Sequence, residues 1–406
     1  MGRMYSYRKV IEQMSNIQNS NISGYFEIKI KNNPKADDKL KKAVLSSLEM
    51  KYRMPLPEII EKRVQEELDT STRFGYAPIY LAHREIIQSA ENYDFPFYLI
   101  GANGASLIDY VLGITKINPL QPHYRCETCK HVEFVADEQI DTGFLLPDKN
   151  CPECGHKMLG DGQNLRVESF LGYRHDRGPS LALGVPSGRF EDAVTYMERM
   201  FHAKQKDIHK LDFPIEEGYL FIYVNIVPID KLFADKKVFP FSEMDDPAVF
   251  EYLSQPEAFD CYLPYEPDIP IIKELLGCIE INHYSELFKI CGLIHSSAWL
   301  PYILPSIRNG SVKYRKTITA REDIYHHLLK RRIDPETAYK VMEITRKGRV
   351  SKLFEDKALH QSLLEHGVSE KYINDLKRIK YLITQAQARE LAMIAYKSAW
   401  RQLYDK

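Results

Sequence analysis

Apolar residues recur at helical spacing in two stretches of the first quarter of the chain. The stretch from Pro57 to Leu68 opens with a proline and an acidic residue, as helix N-termini often do, and places its apolar residues on one face. The stretch Ile79–Ala90 follows a turn at Gly75 and is amphipathic in the same way. Both patterns predict α-helices.

Two other runs favour strands. Tyr219–Val227 is continuously apolar and aromatic apart from one asparagine, which predicts a buried strand. Tyr25–Ile30 predicts a shorter strand before a turn at Asn33. From Asp246 onward helical spacing returns, with Asp334 and the proline after it as one start signal. The chain therefore predicts an α+β fold: a mixed sheet-and-helix body followed by a helical C-terminal half.

Composition limits the class of protein. The chain has 406 residues, of which 44% are hydrophobic and 27% charged, as in soluble globular proteins of two or three domains. It has no uninterrupted run of 18 apolar residues, and its N-terminus lacks the apolar core of a secretory signal. We therefore expect a cytoplasmic protein with no membrane partner.

Charge is unevenly distributed although the formal net charge is −1. Between Arg308 and Lys380, 18 Lys and Arg residues stand against 10 Asp and Glu residues. Such a stretch is typical of a surface that follows a nucleic-acid backbone, and equally of a solvated helix surface. Composition alone leaves both interpretations open.

Four cysteines have the spacing of a metal site. Cys126 and Cys129 form one C-x2-C pair, Cys151 and Cys154 form another, and 21 residues separate the pairs. Two such knuckles fill the four positions around one tetrahedral Zn²⁺ ion and leave none for water, so the predicted zinc is structural. The alternatives are two disulfides or a coincidence of spacing, and disulfides are disfavoured in a chain without an export signal.

The residues around the cysteines carry a family resemblance. Ile117–Tyr124 leads into the first knuckle, Gly143–Asn150 leads into the second, and Glu168–Tyr173 follows. This order resembles the palm of the PolC-type (C-family) replicative DNA polymerase III alpha subunit. Segments on both sides, including Pro55–Glu58 and Met342–Gly348, resemble that family's palm and fingers in the same order.

The resemblance implies a polymerase-like palm with a mixed sheet, an inserted four-cysteine zinc module and a helical, fingers-like C-terminal half. It also implies a division of the chain into an N-terminal extension at 1–38, a palm-like first part at 39–125, a zinc module at 126–160, a palm-like second part at 161–245 and a helical fingers-like domain at 246–406.

The chain departs from the family where the family's chemistry lies. The loop that holds the incoming triphosphate in family palms corresponds to Gly101–Ala105, in which Gly101, Asn103 and Gly104 keep the turn but not the serines and arginine. The strand with two metal-binding aspartates corresponds to Pro179–Val185, with Ser180 and Ala182 at the aspartate positions.

Two further positions are altered. If Tyr223–Val227 is the strand of the third aspartate, Asn225 takes its place; otherwise that segment has been deleted. A C-terminal pair of phosphate-facing cations corresponds to Gln385 and Gln387, which are neutral amides.

These losses indicate a pseudo-polymerase with no catalytic residues, a binding or regulatory protein linked to DNA replication that binds a replisome protein or primer–template DNA. The resemblance implies that template would face cations of the fingers-like domain, with these candidates: Arg331, Arg332, Arg346, Lys347 and Arg349. Two alternatives are a DNA polymerase or nucleotidyltransferase with unorthodox metal ligands, and a stand-alone, non-specific DNA-binding protein.

Overall fold

A computed structural model describes residues 24–93, 95–137, 139–206, 216–229, 232, 244–262, 268–296, 298–350 and 355–404. Most of the N-terminal extension predicted at 1–38 therefore lies outside the described residues. The chain divides into two compact units, Met1–Met244 and Asp245–Lys406. The finer division into five parts stays a prediction.

Three long helices follow one another in the first unit: α1 (Ala36–Lys51), α2 (Glu58–Phe74) and α3 (Ala77–Asn92). The helices predicted at 57–68 and 79–90 are confirmed, and each is longer than its apolar pattern. Helix α2 ends where Gly75 takes a left-handed conformation (φ 70°), in which its N–H reaches the carbonyl oxygen of Ser71. Glycine adopts that conformation without steric cost.

In the described ranges, eight strands form two sheets. They are β1 (Gly24–Lys31), β2 (Tyr98–Leu99), β3 (His123–Arg125), β4 (Val132–Phe134), β5 (Leu159–Asp161), β6 (Leu181–Pro186), β7 (Lys204–Lys206) and β8 (Tyr219–Ile229). The strands predicted at 25–30 and 219–227 are confirmed as β1 and β8. The larger sheet has the order β2-β6-β8-β1-β7, in which β6 and β8 run parallel and the other neighbours antiparallel.

The central strands of this sheet are buried. Helix α6 (Phe190–Phe201) packs against β1, β6 and β8. Short helices α4 (Leu107–Val111) and α5 (Glu168–Leu171) lie in the connections before β3 and β6. Because strands β6 and β8 are covered on both faces, they read as apolar runs instead of alternating patterns.

The cysteine-containing segment has its own small sheet, with the order β4-β3-β5 and antiparallel pairing throughout. Strands of three residues carry too little periodic signal to be predicted.

The second unit is helical in its described part. Its helices are α7 (Pro247–Leu253), α8 (Ile269–Leu276), α9 (Tyr284–Ile294), α10 (Trp299–Arg308), α11 (Arg321–Lys330), α12 (Pro335–Thr345), α13 (Lys357–Glu365), α14 (Glu370–Arg378) and α15 (Gln385–Tyr404). Side chains of Asp246 and Asp334 accept hydrogen bonds at the starts of α7 and α12, as the Asp-Pro signals predicted. The predicted α+β class with a helical C-terminal half is confirmed.

Helix α15 is the centre of this unit, since it packs against both α9 and α7 and buries most of its length. Within the described residues, none of the helices combines the length and the apolar character needed to cross a bilayer.

Candidate functional site

The two cysteine knuckles have the same backbone geometry. In the first, the N–H of Cys126 donates to the carbonyl of His131 (2.9 Å) and the N–H of Lys130 donates to the carbonyl of Cys126 (3.0 Å). In the second, the corresponding bonds from Cys151 to His156 and from Gly155 to Cys151 are 2.8 and 2.9 Å. The two knuckles are therefore structural repeats.

Each knuckle needs a left-handed residue directly after its second cysteine. Gly155 has φ 75° and Lys130 has φ 63°. A glycine marks this position in the sequence of the second knuckle, whereas the lysine in the first gives no such signal. Sequence reasoning therefore missed the equivalence of the two turns.

The four sulfur atoms converge. The Sγ atoms of Cys126 and Cys154 are 3.4 Å apart, those of Cys129 and Cys151 are 3.4 Å apart, and all four lie within 4.8 Å of one another. A disulfide would need about 2.05 Å, so all four are free cysteines. A tetrahedral site with Zn–S bonds of about 2.3 Å places its sulfurs about 3.8 Å apart. The donor set and its spacing fit a zinc ion.

The surroundings favour the thiolate of Cys126 and hold the module in place. The backbone N–H of Cys129 lowers the pKa of the Cys126 thiol to about 6. Cys126 and Cys151 are buried against Met158. The N–H of Arg53 donates to the carbonyl of Lys130 (3.1 Å), which ties the first knuckle to the connection between α1 and α2.

The glycine loop of the first unit lies directly against strand β6. A Cβ atom built on Gly101 would be 3.5 Å from the Cβ of Ala182, and one on Gly104 would be 3.0 Å from Ile117. Asn103 is fully buried, and its Nδ2 donates to the carbonyl of Ser180 (3.0 Å) and to Asp109 (2.9 Å). The structure thus brings the altered loop and the altered strand together.

A carboxylate from helix α2 occupies the start of helix α4. Glu67 is fully buried and accepts hydrogen bonds from the Ser106 hydroxyl (2.9 Å) and from the N–H groups of Leu107 (2.9 Å) and Ile108 (3.0 Å). The N–H groups at a helix start otherwise attract external anions. Here an internal anion satisfies them.

Arg63 balances that charge one helical turn before Glu67. Its Nε lies 2.6 Å from the Glu67 carboxylate, and its terminal nitrogens donate to the carbonyls of Ala105 (2.6 Å) and Leu165 (3.1 Å). Sequence reasoning missed this pair. Only its i,i+4 spacing was visible, and that spacing is common on exposed helix faces as well.

Strand pairing places the altered residues in one row. Ala182 lies opposite Asn225 in the parallel pair β6 and β8. Asn225 lies opposite Tyr25 on β1, and Tyr25 lies opposite Lys206 on β7. Directly opposed residues project from the same face of a sheet. Sequence left the alignment of Asn225 open, and the register puts it beside Ala182.

This row holds neutral groups at its centre. Asn225 is fully buried, and neither its Oδ1 nor its Nδ2 has a hydrogen-bond partner among the described residues. Glu27 is a carboxylate on the same face, opposite Tyr223. It accepts from the Tyr223 hydroxyl (2.9 Å) and lies 3.4 Å from Lys206. The side chains at the row's centre therefore provide no anionic oxygen for a metal.

In the second unit, the two glutamines lie at the start of α15. The side chain of Gln385 donates to Asp323 (3.0 Å) and its N–H donates to Glu322 (2.7 Å). Gln387 is buried, and its N–H donates to the hydroxyl of Thr384 (2.8 Å). The two bonds from backbone N–H groups are helix-capping contacts.

The candidate cations differ in exposure. Arg332 and Arg349 are exposed, Lys347 is half-buried, and Arg331 is half-buried with its Nε donating to the carbonyl of Gly367 (3.0 Å).

The interpretation of Arg346 as a surface cation is wrong. Its side chain is 4% exposed and binds the Glu343 carboxylate through two nitrogens, at 2.8 and 3.0 Å. Arg321 donates to the same carboxylate at 2.9 Å. A guanidinium that is buried and paired in this way is not placed to reach a phosphate outside the protein.

Comparison with known proteins identifies relatives of the chain. A family model described as "Bacterial DNA polymerase III alpha NTPase domain" matches residues 38–208. That range contains the cysteine module, the glycine loop and strand β6.

Several bacterial proteins named "DNA polymerase III PolC-type" are similar to most of the chain. The Thermotoga maritima protein is 27% identical over 87% of this chain and 33% of its own length. The Clostridium perfringens protein is 27% identical over 91% of this chain and 32% of its own length. The Pediococcus pentosaceus protein is 25% identical over 100% of this chain and 35% of its own length. The chain thus spans about a third of the length of the curated relatives it matches.

Proposed function

Because the chain is a PolC-like relative of the bacterial DNA polymerase III alpha subunit, we propose that it is a catalytically inactive pseudo-polymerase. Its role is that of a binding or regulatory protein of DNA replication, with a replisome protein or primer–template DNA as its partner in the cytoplasm. The observation that carries this proposal is the pairing of Ala182 with the buried, neutral Asn225 on adjacent strands.

The chemistry of DNA synthesis explains why this pair matters. Two-metal phosphoryl transfer holds two divalent ions about 3.5–4 Å apart, and anionic oxygens do this. Mg²⁺ keeps most of its water and is bound in such sites through one or two carboxylates. Ala182 offers no oxygen, and Asn225 and Ser180 offer only neutral ones. The carboxylate of Glu27 is already bound by Tyr223 and Lys206.

The glycine loop Gly101–Ala105 also supports the absence of catalysis. A triphosphate needs free N–H donors or cations, and the donors of Leu107 and Ile108 are bound to Glu67. Asn103, which stands where the resemblance expects an arginine, is turned toward Ser180 and Asp109. Neither feature favours an incoming nucleotide.

The cysteine cluster contributes structure and not catalysis. Cys126, Cys129, Cys151 and Cys154 would together hold one Zn²⁺, which stabilises the fold of the module when bound. Four sulfur ligands leave no position for a reacting water.

The second unit would provide the contacts to primer–template DNA. Arg331, Arg332, Lys347 and Arg349 remain candidate phosphate contacts there. Contacts of this kind release counterions and do not depend on base sequence.

Primer extension tests the proposal. Zinc-loaded full-length protein, with primer–template and all four deoxynucleotides, should give no extension with Mg²⁺ or with Mn²⁺, while an active PolC-type polymerase in the same assay does. Extension by this protein that Glu27→Gln abolishes would overturn the proposal in favour of an enzyme with unorthodox ligands. A parallel gel-shift titration with the same primer–template measures binding independently of synthesis.

A further inference from the structure

Helix α14 carries a part of the basic stretch 308–380 that the proposed function does not use. Lys371, Asp375 and Arg378 follow one another on this helix at intervals of four and three positions, so they share one face of it. The two cations are exposed, and the carboxylate is half-buried. Tyr302 of helix α10 lies against this row, and together the four side chains form what we call the α14 face.

The tyrosine ring of the α14 face is both held in place and accessible. The hydroxyl of Tyr302 donates to Asp375 (3.3 Å), and the Arg378 guanidinium lies 5.3 Å from the centre of the ring. The ring also packs against the buried indole of Trp299, with 5.5 Å between the ring centres. Even so, Tyr302 is 44% exposed. Because the ring is already ordered, a ligand that contacts it pays little entropy to immobilise it.

The charge of the α14 face favours an anionic ligand. Among the described residues, neither Lys371 nor Arg378 forms an ion pair or a hydrogen bond, so their N–H groups can bind a ligand. The acids of this helix are engaged, since Asp375 accepts the tyrosine hydroxyl and Glu370 lies 3.0 Å from a histidine of helix α13. Within residues 370–380, four Lys and Arg residues stand against two Asp and Glu residues. The face therefore combines an exposed aromatic ring with available cations.

We propose that the α14 face binds a single strand of nucleic acid, with an unpaired base stacked at Tyr302 and the neighbouring phosphates bound by Lys371 and Arg378. Aromatic rings beside cations bind single strands in this way with little dependence on base sequence, and the guanidinium of an arginine adds a second flat surface for a base. A base inside a duplex is stacked on its neighbours and has no free face for such a ring.

This inference goes beyond the proposed function. It concerns a single strand, and it uses none of the cations named above for primer–template DNA. A strand can bind whether or not the chain synthesises DNA, so primer extension and the measurements below can fail independently of each other.

The experiment compares two fluorescent probes with the same number of phosphates. One is an oligothymidylate of about twelve nucleotides, and the other is an abasic strand of the same length. Fluorescence anisotropy gives the Kd of each probe for the zinc-loaded full chain. We expect oligothymidylate to bind more tightly, because the abasic strand has no base to stack. Tyr302→Ala should raise the Kd for oligothymidylate about tenfold and leave the Kd for the abasic strand unchanged.

The matched control for this variant is Tyr404→Ala. Tyr404 lies on helix α15, is 52% exposed and donates its hydroxyl to Asp246 (2.7 Å), so it has the same exposure and the same kind of hydrogen bond. This variant should leave both Kd values unchanged. Arg378→Ala should weaken the binding of both probes, because it removes a charge as well as a stacking surface. Equal Kd values for the two probes, or equal effects of the two tyrosine variants, would overturn the proposal.

Crosslinking locates the base without any variant. An oligothymidylate with one 5-iododeoxyuridine is irradiated on the unaltered protein, and the attached peptide is identified by mass spectrometry. The crosslink should be at Tyr302, and a crosslink only at other residues would contradict the site. Because Tyr302 and Tyr404 are exposed, their alanine variants should fold, and circular dichroism checks that they do.

Discussion

Ala182 and Asn225 are paired across the parallel strands β6 and β8, and the buried amide of Asn225 has no hydrogen-bond partner among the described residues. A fully buried polar group without a partner is costly. The unpartnered amide of Asn225 lies at the position where the family resemblance expects a metal-binding carboxylate. The first prediction concerns what happens when a carboxylate is put back.

Ala182→Asp should lower the free energy of unfolding by about 2 kcal/mol or more near neutral pH, because it buries a charge with no cation beside it. Burial raises the folded-state pKa of the new carboxyl group. The folded state then holds its proton more tightly than the unfolded state, and the destabilisation should shrink as the pH falls toward 4. Urea unfolding at both pH values measures this, with Ala182→Asn as the uncharged control.

The same variant tests the catalytic interpretation. Neither Ala182→Asp nor Ser180→Asp/Ala182→Asp should synthesise DNA, because the loop and the pair Gln385 and Gln387 remain altered. Any primer extension by either variant would contradict this prediction.

Zinc content gives a second prediction. Protein purified without added metal should carry one zinc per chain by elemental analysis, and Cys154→Ser should lower both the zinc content and the thermal midpoint. Cys278→Ser is the control, since that thiol is exposed and outside the cluster. A well-folded protein with almost no zinc, or a disulfide between Cys126 and Cys154, would rule the site out.

Glu67 gives a third prediction. Glu67→Gln leaves Arg63 without its charge partner and should reduce the free energy of unfolding by about 3 kcal/mol. Glu66→Gln, one position earlier on an exposed part of helix α2, should cost far less. Equal effects in the two variants would mean that the buried carboxylate is not what fixes the loop.

DNA affinity gives a fourth prediction. Replacing Arg331, Arg332 and Arg349 by alanine should weaken primer–template binding and flatten its salt dependence, by about 0.9 in log–log slope for each phosphate that is no longer neutralised. The matched control replaces Lys39, Lys41 and Lys42, three exposed cations of the first unit. If both triple variants bind like the unaltered protein, phosphate binding by these arginines is excluded and a protein partner is favoured.

Arg346→Ala belongs to a different class of variant. The Arg346 guanidinium is buried and bound to Glu343, so the variant should have a lower free energy of unfolding. Any decrease in DNA binding by the variant should follow the fraction of unfolded protein.

Acid stability gives a fifth prediction. Burial lowers the pKa of His83 to about 3, from an ordinary value of 6.5. Between these values the unfolded chain binds the proton and the folded chain does not, so His83 alone should lower the free energy of unfolding by about 1.4 kcal/mol per pH unit as the pH drops below 6.5. Because burial also lowers the pKa of His295 to about 4, His83→Gln should make the dependence shallower without removing it, and the exposed His366→Gln should leave it unchanged. Parallel pH profiles for the two variants would contradict the assignment.

Sequence predicted those parts of the fold whose signals are local. The apolar periodicity of α2 and α3, the apolar run of β8 and the spacing of the cysteine pairs all depend on nearby residues. Pairing between segments that are far apart in the chain was not visible in the sequence. The register that sets Asn225 beside Ala182 depends on how distant strands pair.

Which charged side chains are buried could not be predicted from the sequence either. Arg346 and Arg349 read alike in the sequence, and only tertiary packing buries one of them. Glu66 and Glu67 are neighbours, and only the approach of helix α4 to helix α2 gives Glu67 its buried role.

The order of the larger sheet has a consequence for how the protein is made. Strand β1 pairs with β8, and the Tyr223 hydroxyl reaches Glu27 across 196 positions of the chain. The cysteine module, by contrast, closes on itself within residues 123–161. During synthesis on a ribosome the module is therefore complete well before β8 emerges. Until β8 emerges, the edge of β1 that pairs with it is unpaired. Pairing across such a sequence separation slows folding, so this sheet closes after the cysteine module, and strand β1 is exposed to mispairing until it does.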